Sequence, residues 1–142
     1  MPNYDLNVLR ANLKTLLETV ASVAFVYDRR NPTIEGYPCI IFDVVENNNI
    51  MLTNVENERT ITFRIWLVQE IGVAGMATAN DLLDTLTNET VTILESISNI
   101  TLSNTATWLM PNVGGRQEVS SPQGSAIWQV LNLQVRVVSN VL

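Results

Sequence analysis

The stretch from Ala77 to Ile97 limits the fold more than any other part of the chain. Apolar side chains at Ala79, Leu82, Leu83, Leu86, Ile93, Leu94 and Ile97 keep the three-and-four spacing of one helical face, with Val91 slightly off it. Asp81, Asp84, Asn88, Thr92 and Glu95 fall on the other side. Thr78 followed by Asp81 has the pattern of a capping box, and Asn99 stands where a left-handed C-terminal residue is tolerated. A helix that is apolar on one face must lie on something, and the β-patterned runs on either side of it supply a sheet.

A second amphipathic helix is expected over residues 4 to 20, where Leu6, Leu9, Leu13, Leu16, Leu17 and Val20 recur at helical spacing behind Asn3 or Asp5 as N-cap. Val23 to Tyr27 is a short β-type run, ended by the turn formers of Asp28-Arg-Arg-Asn-Pro-Thr33. Pro38 to Val45 is apolar on both parities, as in a strand covered on both faces, and Glu46-Asn-Asn-Asn49 is expected to break it. From Glu58 to Glu70 the alternation is clean: Ile61, Phe63, Ile65 and Leu67 point one way, and Thr60, Thr62, Arg64 and Trp66 the other. Residues 46 to 57 then form the connection of a long hairpin. Its Ile50, Met51, Leu52 and Val55 either fold inward or are covered by a neighbour.

After the helix, Leu102 to Met110 is expected to be a strand, and Pro111 to Gly124, rich in Gly and Pro with Arg116 at its middle, a long loop. Ser125 to Ser139 closes the chain as a strand with Leu131, Leu133, Val135 and Val137 on one face; Trp128, Val130, Asn132, Gln134 and Arg136 form the other. The order α-β-β-β-α-β-β predicts a single α+β domain over residues 1 to 142, a mainly antiparallel sheet of about five strands with both helices on one face.

Catalytic chemistry is hard to place in this chain. It contains no histidine, the usual general base and metal ligand. Its one cysteine, Cys39, lies in an apolar run and reads as a buried small hydrophobe. Gly72, Gly75 and Gly114-Gly115 lack the residues of a phosphate loop. The carboxylate pairs Asp81/Asp84 and Glu56/Glu58 read as solvated surface. No catalytic, cofactor or metal residues are therefore assigned. Eight Lys and Arg against fourteen Asp and Glu give a net charge of −6, which disfavours a grip on nucleic-acid phosphates. No apolar run approaches the ~20 residues that cross a bilayer, and the N-terminus lacks the pattern of a signal peptide.

Only 15% of the residues are charged while 46% are hydrophobic, a balance that favours a subunit over a free monomer. Trp66, Trp108 and Trp128, on mixed faces, are candidates for subunit contact or for core packing. The loop arginines Arg29, Arg30 and Arg116 read as solvated surface charge or as candidates for pairing with a neighbour's acids. Asp in place of Arg116, Met51 or Leu52 is expected to weaken assembly and leave the fold intact.

The leading helix, the Tyr27-Asp-Arg turn before Gly36-Tyr-Pro38, the strand Arg59 to Trp66, the second long helix and the final long strand come in an order that resembles the tail terminator (tail completion) proteins of long-tailed bacteriophages. The resemblance spans most of the chain and is one of layout and size. It implies a virion protein made in the host cytoplasm: a ring, commonly of six copies, that caps the finished tail tube, ends its polymerisation and offers a surface to the head connector. DNA would pass through its lumen without specific binding, and no cofactor or membrane is implied. The related neck proteins, a cytoplasmic scaffold or chaperone-like domain, and a small enzyme working through carboxylates or backbone are the other readings left open.

Overall fold

A computed structural model describes residues 5–51, 56–73, 75–103, 105–121 and 124–140. The elements are α1 (Leu6–Leu17), β1 (Phe25–Tyr27), β2 (Cys39–Met51), β3 (Glu56–Glu70), α2 (Met76–Glu95), a 3₁₀ turn (Ile97–Asn99), β4 (Trp108–Ser121) and β5 (Gly124–Asn140). The five strands form one sheet in the order β1-β2-β3-β5-β4, antiparallel except for the short β1–β2 pair. This is the expected α+β fold, in the expected order.

Both helices cover one face of the sheet. Leu9, Leu13 and Leu17 of α1 and Leu83, Leu86 and Leu94 of α2 share one core with Phe42, Phe63, Ile65, Leu131, Leu133 and Val135. Asp5 caps α1, its carboxylate accepting from the backbone N–H groups of Asn7 (3.0 Å) and Val8 (3.2 Å). The helix is shorter than the leucine stripe implied. Glu18 ends it, and Val20 still reaches the core from the turn that follows.

The ends of α2 differ from the sequence expectation. Gly75, at φ 89°, is its N-cap and no side chain caps it, so Thr78 and Asp81 lie within the helix and make no capping box. The chain leaves α2 through Ser96 in extended conformation, and Asn99 instead donates its side-chain amide to the Ile93 carbonyl at 3.0 Å. The buried face is also rotated from the expected one. Leu82 and Ile97 are 48% and 89% exposed, while Thr87 and Thr90 are buried. Each threonine hydroxyl donates to the carbonyl one turn back, Leu83 and Leu86 respectively, at 2.7 Å, and that bond makes the burial tolerable.

Two segments expected as loops are strand. Asn47, Asn48 and Asn49 pair with Ile61, Thr60 and Arg59, so β2 runs on to Met51 instead of breaking at Glu46. The ladder offered by the long β3 outweighs the weak β-propensity of asparagine. Likewise, Pro111 to Ser121 belongs to β4, paired to β5 as far as Ser121 opposite Gly124. Pro111 is tolerated because β4 is the edge of the sheet. Gly114-Gly115 falls at a bulge: from Val113 to Arg116 the strand advances three residues while β5 advances two, from Leu131 to Gln129. The strand expected from Leu102 starts only at Trp108. Before it, Leu102 and Ser103 adopt positive φ, in a turn tied to α1 by the Asn12 amide on Thr105 Oγ1 at 3.1 Å.

Candidate docking surface

The helices leave the second face of the sheet uncovered. Alternation places Trp66 and Trp128 on it, on the neighbouring strands β3 and β5, where Trp66 pairs with Val130 and Trp128 with Val68. The end of this face near the start of β2 is apolar: Cys39, Ile41, Val68 and Ala126 are buried there, with Tyr27, Ile34 and both tryptophans packed on them. The connection between β1 and β2 folds over that end. It comes so close that a Cβ on Gly36 would lie 2.7 Å from the Phe25 ring, and the Tyr27 hydroxyl accepts from the Glu35 N–H at 2.8 Å.

Between that connection and β4 the two tryptophans floor a groove. One depression of about 230 Å³ is lined by Arg30, Ile41, Trp66, Gln117 and Trp128, among others. A second, of about 270 Å³, continues from the tryptophans toward Arg64 and Val130. A third, of about 350 Å³, lies beyond Trp128 against Ile34, Tyr37 and Glu70. All three share Trp128. The rest of the face, around Thr60, Thr62, Asn132 and Gln134, is polar.

The residues singled out from the sequence separate into distinct places. Arg30, Trp66 and Trp128 come together at the groove. Arg30 is tied down there, its guanidinium 3.4 Å from Asp43 and donating to the Val44 carbonyl at 3.2 Å. Arg29 is exposed in the adjoining turn. Trp108 is half-buried on the same face, beside Arg136 in the register at the far end of β4. Met51 lies at the β2–β3 tip and is 70% exposed, next to Ile50 at 58%. Leu52 falls outside the described residues.

Arg116 is on the helix-covered side. Its Nε donates to Gln129 Oε1 (2.9 Å), Nη1 donates to Asn80 Oδ1 (3.0 Å), and Nη2 pairs with Asp84 (2.8 Å), so it clamps α2 to the β4–β5 ribbon. Gln129, nearly fully buried, passes the clamp on to the bulge by donating to the Gly114 carbonyl at 2.8 Å. The expectation that a change at Arg116 leaves the fold untouched is therefore corrected. Arg116→Ala should lower stability by about 1–2 kcal/mol, the value of charge-assisted hydrogen bonds discounted for the exposure of Asp84. Urea denaturation followed by circular dichroism measures this, and an unchanged midpoint would show the clamp to be idle.

Sequence reasoning missed Gln117 and Val119, because both lie in the segment read as a loop. Their signal is the alternation that resumes after the glycine pair, Gln117 and Val119 against Arg116 and Glu118. Asn31, Ile34 and Tyr37 were missed because no periodicity shows that a connection folds back over a sheet.

Burial pushes the Cys39 thiol up to about 12, so it stays protonated and inert, as a small apolar side chain would. Among the described residues no three His, Cys, Asp or Glu side chains converge as metal ligands, and no helix is long and apolar enough to cross a membrane. What the surface offers is shape, aromatic area and a few hydrogen-bonding groups. The sequence matches no family model and no curated protein.

Proposed function

We propose that this protein is a ring-forming subunit that caps the tail tube of a long-tailed bacteriophage, ends the tube's growth and presents its outer side to the head connector. The observation that carries the reading is the sheet covered by helices on one face only, with a tryptophan-floored groove on the other and exposed Ile50 and Met51 at the end of β2. Large aromatics in a partly open groove are the anchors that protein contacts favour, and a chain this low in charge gains by covering apolar surface. The mechanism is binding: one face of the ring copies the tube's mating surface, and the other does not present it again. The net charge of −6 suits a lumen through which DNA slides without sticking.

Native mass spectrometry and light scattering of the purified protein, alone and with tail tubes added, test the reading. A closed ring of about six copies, or a monomer converted to one by tubes, is the expected result. A strict monomer indifferent to tubes over the whole accessible concentration range would overturn it. A ring that binds head connectors but ignores tubes would move the assignment to a neck protein.

A further inference from the structure

Pairing on the open face of the sheet leaves two charges over. Among the described side chains of its strands, Asp43 faces Arg10 and Arg30, Glu58 holds Arg136 at 2.8 Å, and Glu46 accepts from the Asn48 amide. Arg64 and Glu70 remain, both exposed and neither ion-paired with another described residue. Arg64 reaches only the Asn132 side chain, at 3.5 Å. Both project from β3 on the groove side, because Arg64, Trp66, Val68 and Glu70 alternate with the core residues Ile65 and Leu67. Arg64 lines the depression at one end of the tryptophan floor, and Glu70 lines the one at the other end. Six residues at ~3.3 Å each separate them by about 20 Å, so they cannot meet within one chain.

We infer that a second copy of this chain lies face to face on the groove, related by a two-fold axis that crosses β3 at Leu67. The axis lies between the two sheets and runs across their strands. Arg64 of each copy then falls over Glu70 of the other, and two equivalent ion pairs flank a centre formed by Trp66 and Trp128 of both copies, aromatic anchors inside a polar rim. Shape selects the same axis independently of charge. The connection between β1 and β2 raises the Glu70 end, where Ile34 and Tyr37 line the depression. The depression at the Arg64 end is lined by strand residues alone, and the face continues from it into Thr60, Thr62, Asn132 and Gln134. Turning one copy about Leu67 lays the raised end of each over the low end of the other.

The area is sufficient for a specific contact. Thr60 to Glu70 spans about 33 Å and the four strands β2, β3, β5 and β4 about 19 Å, which gives roughly 600 Å² per copy and about 1,200 Å² in all, the lower bound of a stable interface. A patch that meets its own copy closes at two. The inference goes beyond the ring reading and does not need it: the contact joins two rings where rings form, and two single copies where they await a tube.

Native mass spectrometry and light scattering test this on Arg64→Glu, on Glu70→Arg and on the chain carrying both changes, all at exposed positions, with circular dichroism to establish that each folds. Wild type is expected at an even number of copies. Each single variant is expected at half the wild-type mass, since like charges then face each other at both contacts. An equimolar mixture of the two single variants should recover the wild-type mass with one of each per pair, because opposite charges meet again at both contacts. The chain carrying both changes has its contacts reversed and should recover that mass without mixing.

A single variant that keeps the wild-type mass places the contact elsewhere and overturns the inference, with the ring reading untouched. A mixture or a doubly changed chain that fails to recover overturns it too, since the two side chains then do not face each other. A wild-type particle with an odd number of copies, or a single copy at every accessible concentration, rules out the two-fold contact. The ring reading falls separately, when added tubes leave wild type and every variant without a ring.

Discussion

Phe63→Ala lowers the free energy of unfolding by about 3–5 kcal/mol, the range for truncating a fully buried phenylalanine. Phe63 is completely buried on the central strand, between Val44 on β2 and Leu133 on β5. Its ring meets Phe42 edge-on, with centroids 6.0 Å apart and planes at 68°. Truncation deletes that contact and opens a cavity under both helices, where rigid strands on either side hinder collapse. Against a total stability of about 5–15 kcal/mol, the variant keeps only a small margin. Urea denaturation measures it, with Phe63→Leu as a partner that keeps most of the volume and should lose much less. A loss under 1 kcal/mol would show that the core closes over the gap.

The second large effect sits where α1 meets the sheet. Arg10, nearly buried, donates through Nη1 to the Asp28 carbonyl (2.6 Å) and to Asp43 (2.9 Å), and Asp43 also faces Arg30. Arg10→Met leaves Asp43 with the Val44 N–H and the weaker, exposed Arg30. Breaking a buried pair costs about 3–5 kcal/mol; because Asp43 keeps some exposure, roughly 2–3 kcal/mol is expected here.

The same contact gives a pH signature. Burial alone would raise the Asp43 carboxyl, but the Arg10 hydrogen bond, the Val44 N–H, the Arg10 charge and the Arg30 backbone N–H hold it below its ordinary value of 3.8. A carboxyl depressed in the folded state contributes stability that is whole above its unfolded pKa and lost as pH falls through the folded one. Asp43→Asn should therefore be destabilised near neutrality, with its deficit against wild type shrinking below about pH 3.8. Denaturation midpoints from pH 7 down to pH 3 read this directly. A deficit constant across that range would mean that the Asp43 charge is not what holds α1 in place.

Sequence patterning made the centre of this fold readable and left its rim obscure. β3 and β5 are buried on one face and half-open on the other, so alternation showed in Ile61 to Leu67 and in Leu131 to Val137. α1 likewise announced itself through its leucines. At the rim, pairing overrides local preference. Asn47 to Asn49 and Gly114-Gly115 carry turn chemistry, yet a long neighbouring strand holds each segment in the ladder. In α2, Thr87 and Thr90 hid their burial because a back-bonded hydroxyl has no hydrophobic signature.

The candidate site was half legible for a similar reason. Trp66 and Trp128 could be placed on the mixed face by parity, but the groove's walls come from a connection and an edge strand. Arg116 had the composition of a contact residue and proved to be an internal clamp, because the bulge turns it toward α2.

The strand order has a consequence for how the chain is made. β5 lies between β3 and β4 and pairs with both along nearly its whole length. During synthesis β2 and β3 emerge early and zip together, but the other edge of β3 stays open through the making of α2 and β4, and β4 has no neighbour at all. α2 meanwhile has only half a sheet to lie on. Nascent chains stalled before residue 124 should thus be protease-sensitive and prone to capture by chaperones, and protection should arrive in one step once Gly124 to Asn140 has cleared the ribosome.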